Sequence, residues 1–199
     1  MKYKAVLFDL LTGLLDSWSV WNRVAGGEVA GRRWRAAYLE LTYGCGAYRP
    51  YEVLVAEAAR AIGLPETVAA SLRDEWDSIA PWDEAPGILR ELKKTHRLGV
   101  VTNCSERLGR AAASGLGVPF DVIVTSERAG FYKPDPAPYR LALSELNLKP
   151  SEVCSSPARD SISSARPALG WIPTGITGSD YSGRRGLRRR CMSRARSLL

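Results

Sequence analysis

The chain contains one histidine, His96, in 199 residues. That excludes a metal centre built from several imidazoles, and nothing around His96 calls for a Ser-His-Asp hydrolase. Cysteine is also sparse: Cys45, Cys104, Cys154 and Cys191 are far apart with no C-x-x-C pair, which signals neither a zinc site nor a disulfide framework and leads to the expectation of reduced thiols. No run of about 18 uncharged apolar residues offers a membrane-spanning helix. The basic start Met1-Lys2-Tyr3-Lys4 leads into an apolar run that stops at Asp9 without a small-residue cleavage site. It reads as a mature strand in a cytoplasmic protein rather than a leader. The glycine pairs at 26–27 and 183–186 lack the G-x-G-x-x-G spacing after a strand, so nucleotide binding has little support. No internal repeat or low-complexity stretch precedes the C-terminal arginines.

The net charge of +7 invites a nucleic-acid reading. However, residues 184–199 hold seven arginines and no acid; without them 21 of the 28 basic residues remain, against 21 acidic ones. The body is neutral, and its basicity belongs to a tail best read as a solvated, poorly ordered end over 181–199, with no nucleic acid and no membrane expected as partner.

With 45% apolar and 25% charged residues, the chain is of ordinary globular composition and long enough to bury a core without staples. Residues 3–8 are β-prone and end at Asp9-Leu10-Leu11-Thr12-Gly13, a strand running into a turn. From about 16 to 85, Trp18, Trp21, Trp34, Tyr38, Leu41, Leu54, Ala58, Ile62, Leu72 and Trp76 recur at three- and four-residue spacings, broken by Gly and Pro. This predicts several helices and no strand. Beyond Pro86 a helix (about 87–94), a strand at Leu98–Thr102, a helix from Ser105, a strand at Val122–Val124 and a helix from Pro136 to Leu146 alternate, which implies a parallel sheet. The expected architecture is an α/β, Rossmann-like core of residues 1–15 and 86–180, interrupted by an all-helical cap of residues 16–85.

Ligands of open parallel sheets bind beyond the carboxyl ends of the strands. Polar residues gather at those ends: Asp9, then Thr102-Asn103, then Lys133 in Phe131-Tyr132-Lys133-Pro134-Asp135-Pro136, then Ser155-Ser156 with Asp160. Singly each is a plausible turn or helix cap. In this order and spacing they resemble the four motifs of the haloacid dehalogenase superfamily, over residues 4 to about 172. The resemblance implies Asp9 as a nucleophile forming a covalent ester, Thr102 and Asn103 as groups holding the reacting moiety, Lys133 as the cation steadying the carboxylates, and Asp160 as the residue positioning the hydrolytic water. Independently of family, an ammonium beside a strand-end carboxylate keeps it ionised and lets a second acid approach.

The superfamily's phosphatases carry a second Asp two residues after the nucleophile, to protonate a departing alkoxide. Here that residue is Leu11, and a departing halide needs no proton. The segment Trp34-Arg35-Ala36-Ala37-Tyr38-Leu39-Glu40 is similar to the cap of the L-2-haloacid dehalogenases, where the Arg after the Trp contacts substrate and receives the halide. Arg35, Leu11, Tyr139 and Ser155 are therefore the implied substrate-binding residues. The resemblance thus implies hydrolytic dehalogenation of a small anionic 2-haloacid with no cofactor, and family members often form homodimers. Two alternatives stand beside it: a magnesium-dependent phosphatase of the same superfamily, its ion held by Asp9 and Asp160, and a non-catalytic binding protein on the same fold. Three places depart from the family pattern. Thr12-Gly13 inverts the usual Gly-Thr order, Pro157 replaces an Asn amide, and after Trp171-Ile172-Pro173 the usual closing strand and Asn-Arg pair are absent.

Overall fold

The computed structural model describes residues 3–156; Asp160, Pro157 and the arginine-rich tail lie outside the described residues. Strand β1 (Ala5–Phe8) is followed by helices α1 (Ser17–Val24), α2 (Glu28–Gly44), α3 (Tyr51–Ala61) and α4 (Thr67–Asp74) and a 3-10 turn, Trp76–Ser78. Alternation then begins: α5 (Ala85–Lys93), β2 (Arg97–Thr102), α6 (Glu106–Ser114), β3 (Val122–Thr125), the short α7 (Ser126–Ala129), α8 (Ala137–Leu146), a second 3-10 turn, Pro150–Glu152, and β4 (Val153–Ser156). The strands form one parallel sheet in the order β3-β2-β1-β4. Ala5 lies opposite Arg97 on one side and Val153 on the other, so β1 is interior and its end faces the centre of the sheet's carboxyl edge.

β1 is Ala-Val-Leu-Phe with all four residues buried, as expected for a strand covered on both faces. Its alternation sorts the core. Val6 and Phe8, with Leu98 and Val100, join the large cluster that continues into the helical insert; Ala5 and Leu7 join Val101, Val122, Val124, Ala142 and Leu146 under α8. In α2 the buried positions Gly31, Trp34, Tyr38 and Thr42 trace one stripe at helical spacing, and that stripe lies on α3 through the Trp34 indole, which donates to Val55 O at 2.9 Å.

The insert is fastened to the core by polar contacts as well as apolar ones. The buried Trp76 indole donates to Leu108 O at 2.9 Å, Tyr38 Oη to Asn103 O at 3.0 Å, and Tyr132 Oη to Arg49 O at 2.8 Å. Ser105 Oγ donates to Glu52 Oε1 at 2.9 Å. Among the described residues no helix is long and apolar enough to cross a membrane. Cys45 and Cys104 are free thiols.

Candidate active site

The strand ends bring Asp9, Thr102-Asn103 and Lys133 together. Lys133 Nζ donates to Asp9 Oδ1 and to Val101 O, both at 2.7 Å, with the two side chains only 15% and 16% exposed. The other carboxylate oxygen is held by the turn after β1. Asp9 Oδ2 accepts from Thr12 N at 3.0 Å, Thr12 Oγ1 at 2.8 Å and Gly13 N at 3.0 Å. Burial alone would push this carboxyl up. The Lys133 charge and hydrogen bond, with the Thr12 donors, outweigh it and hold the pKa at about 2. Burial likewise pulls the Lys133 ammonium down, and the Asp9 charge more than restores it, raising it above the ordinary lysine range. The pair is therefore fully ionised at neutral pH.

The inverted Thr12-Gly13 order has a structural reason. A Cβ at position 13 would fall 2.4 Å from Asp9 O and 3.1 Å from its carbonyl carbon, so the usual Thr has no room there. One place earlier, Thr12 still delivers its hydroxyl to the carboxylate. Gly13→Ala is expected to push the turn off Asp9, costing about 1–3 kcal/mol of stability and detaching the Oδ2 donors. Thermal unfolding beside an activity assay checks this, and a variant with wild-type values in both would refute the packing argument.

The Lys133 segment is locked onto the end of β2 by Asn103. Asn103 Oδ1 accepts from Lys133 N at 2.8 Å and from Ser126 Oγ at 2.9 Å, while its Nδ2 donates to Lys133 O at 3.0 Å. The Lys133–Pro134 peptide bond is cis. Asn103 thus spends its side-chain amide on positioning Lys133. Thr102, 1% exposed, has its hydroxyl 3.8 Å from the Cys104 sulfur, and burial pushes that thiol up to about 12.

From the insert, Arg35 turns toward this centre. Its Nη1 donates to Ser17 Oγ at 2.9 Å, and its guanidinium lies over Trp18 at 4.4 Å and Trp21 at 5.4 Å from the ring centroids. Among the described residues it forms no ion pair. Burial pulls its pKa down, opposed by the fields of Tyr51, Asp9, Tyr38 and Tyr43. A guanidinium on aromatic faces, within the field of a carboxylate it does not bind, is suited to a small anion between them.

The remaining expected residues are placed less centrally. Leu11, 6% exposed, packs in the large apolar cluster. Tyr139 is half-buried on α8 against the smaller cluster, and its field reaches Lys133. Ser155 lies in β4 opposite Leu7, and the next carbonyl, Ser156 O, accepts from Asp9 N at 3.4 Å. Asp160 is outside the described residues, so the ion site of the phosphatase alternative is represented by Asp9 alone. Among the described residues no three His, Cys, Asp or Glu side chains gather. Ser17, Ser126 and the hydroxyl of Tyr38 are site residues that sequence reasoning missed, each an isolated polar group whose partner is remote in the chain.

Comparison with known proteins follows the same lines. A family model described as haloacid dehalogenase-like hydrolase matches residues 3–154. An (S)-2-haloacid dehalogenase of Pseudomonas sp. (strain YL) is 29% identical over 167 residues, covering 75% of this chain and 72% of that protein. A pyrophosphatase of Bacillus velezensis is 44% identical over a shorter 69 residues, 33% of this chain and 32% of that one. The solved L-2-haloacid dehalogenase of Xanthobacter autotrophicus with chloropropionic acid covalently bound shares the fold, with a TM-score of 0.68 at 24% identity over 77% of this chain and 69% of that one.

Proposed function

The chain belongs to the haloacid dehalogenase-like hydrolases, and from that premise we propose that it hydrolyses the carbon–halogen bond of a small 2-haloacid, with Asp9 as the nucleophile. The observation that carries the reading is the unequal treatment of the two Asp9 oxygens. Oδ2 accepts three hydrogen bonds from the turn, whereas among the described residues Oδ1 accepts only from Lys133. Oδ1 is the oxygen with a lone pair to spare.

In this reading Oδ1 attacks the carbon bearing the halogen. The carbon–halogen bond breaks, the halide departs with the bonding pair toward Arg35, and an aspartyl ester forms. Oδ2 is then the ester carbonyl oxygen, and Thr12 N, Thr12 Oγ1 and Gly13 N already surround it. When water attacks the ester carbon, negative charge grows on that oxygen, where preorganised donors stabilise it without reorganisation. Collapse returns the Asp9 carboxylate, the 2-hydroxy acid and a proton. Thr102, Asn103 and Lys133 orient and neutralise the site, Asp160 positions the water, and Leu11, Tyr139 and Ser155 line the substrate. Residues 16–85 act as the cap over a core of 1–15 and 86–180.

A magnesium-dependent phosphatase is the second reading, favoured by the pyrophosphatase likeness. Leu11 in place of a proton donor weighs against it. Halide release from L-2-chloropropionate, measured beside phosphate release from p-nitrophenyl phosphate with and without magnesium, decides between them. Metal-independent halide release is expected. Magnesium-dependent phosphate release with no halide would transfer the protein to the phosphatase reading, and silence in both would favour the binding protein.

A further inference from the structure

Tyr51 opens α3, and its ring is sunk in the aromatic cluster around Arg35, edge-on to Tyr38 at 5.4 Å and to Trp76 at 5.7 Å. The residue is 2% exposed, and its enclosed hydroxyl has no hydrogen-bond partner among the described residues. The two rings it touches are not in that position: Tyr38 donates to Asn103 O and Trp76 to Leu108 O. Native proteins rarely leave a buried hydroxyl unbonded, and a bound anion is a partner that would satisfy it.

The surroundings say where that partner sits. Arg35 lies over Trp21, Trp21 stands 5.7 Å from Tyr38 and Tyr38 5.4 Å from Tyr51 between ring centroids, so one line of rings joins the guanidinium to the Tyr51 phenol. Tyr38, edge-on to Tyr51, also donates to Asn103 O at the end of β2, so this line of rings lies where the insert meets the strand ends. The Trp18 and Trp21 indole N–H groups are also enclosed without partners among the described residues, and Arg35 lies over both rings. A guanidinium with no carboxylate partner among the described residues thus lies over two rings with unsatisfied N–H groups, and the unbonded Tyr51 phenol belongs to the same aromatic cluster.

We propose that Tyr51 is a specificity-determining residue that joins Arg35 in holding the departing anion, and that it biases the site toward leaving groups accepting strong hydrogen bonds, fluoride first among the halides. The proposal rests on the dehalogenase reading. Fluoride is the most charge-dense halide, and its bond to carbon breaks only if the anion is solvated as it forms. A guanidinium with a phenol O–H supplies that solvation in a site closed to water. The balance is unchanged: Asp9 Oδ1 forms the ester bond, fluoride leaves with the electron pair of the broken bond, and Tyr51 keeps its proton while donating the hydrogen bond.

The test compares kcat/KM for fluoride, chloride and bromide release from the three 2-halopropionates in the wild type, Tyr51→Phe and Tyr38→Phe. Tyr51→Phe is nearly isosteric and removes an unbonded group, so the fold is retained. It is expected to lower fluoride release by roughly 10- to 100-fold, the worth of a hydrogen bond to an anion, and bromide release by less than about threefold. Tyr38→Phe, whose hydroxyl already serves Asn103, should slow all three alike. Equal loss across the three halides in Tyr51→Phe, or no loss, overturns the proposal while leaving the dehalogenase reading intact. Tryptophan-fluorescence titration with sodium fluoride and sodium chloride at constant ionic strength separates the two ideas further. If no halide is released by the wild type but fluoride binds and the binding is lost in Tyr51→Phe, the anion site stands and the proposed reaction falls.

Discussion

Asp9→Asn should abolish halide release, reducing kcat by at least about ten-thousand-fold, the scale seen when a covalent nucleophile is removed. The amide has no anionic oxygen for attack, and its Nδ2 group cannot occupy the Oδ1 position without directing a donor at the Lys133 ammonium 2.7 Å away. The substitution is close to isosteric, so Thr12 and Gly13 can keep their bonds to the remaining oxygen. The folded state loses the partner of a largely buried cation, at a cost of about 1–3 kcal/mol. Rapid-mixing assays with L-2-chloropropionate, together with mass spectrometry of the acid-quenched protein, read both aspects. The wild type should carry a transient adduct on Asp9 and the variant none. Undiminished turnover or an adduct on another residue would dismiss Asp9 as the nucleophile.

Lys133→Met removes the cation and keeps the bulk. Burial then acts on Asp9 with only the turn donors to oppose it, and the carboxyl rises from about 2 toward or above its ordinary 3.8. Turnover at neutral pH should fall about 100- to 1000-fold, the usual effect of deleting a preorganised stabilising group. The pH profile carries the sharper signature. In the wild type the Asp9 carboxylate stays ionised through the weakly acidic range, so activity should show no limb from this group above about pH 3; in the variant an acid limb should move up into that range. Stability follows the same linkage. A depressed carboxyl pKa contributes stability that is fully present above the unfolded value of about 3.9 and is lost as pH falls through about 2. The difference in unfolding free energy between wild type and Lys133→Met, about 2–3 kcal/mol at neutral pH, should therefore shrink on acidification below pH 4. A pH-independent difference would show that Lys133 does not hold Asp9 ionised.

What the sequence made legible was what repeats or stands at a fixed place. The stripe Trp34, Tyr38, Thr42 announces a helix because its period is helical, and the alternating core runs announce a parallel sheet. Asp9, Asn103 and Lys133 could be expected to meet because strand ends converge, and hydrogen bonds now join them. The four-residue helix α7 was not legible, since one turn is too short to display a period. Nor was the role of its first residue, Ser126, which reaches an amide 23 positions away. Ser17 under Arg35 and the Tyr38 hydroxyl on Asn103 O are of the same kind: their partners are chosen by tertiary packing, which leaves no trace in local spacing. The Thr12-Gly13 inversion reads as a defect in the sequence and as an adaptation in three dimensions, because hydroxyl reach depends on the turn rather than on the position number.

The interior place of β1 in the sheet shapes how this chain is born. Its two neighbours begin only at residues 97 and 153, so on a ribosome the apolar tetrapeptide Ala-Val-Leu-Phe emerges ahead of both and waits unpaired while α1–α4 are synthesised behind it. The helices can condense early through local contacts, but the strand that ends at Asp9 gains its first ladder partner only when β2 appears, and closing that long loop is the slow, entropically costly event. Assembly of the Asp9–Lys133 cluster is therefore a late step of synthesis, and an incomplete chain would display a folded helical bundle beside an adhesive, unpaired strand.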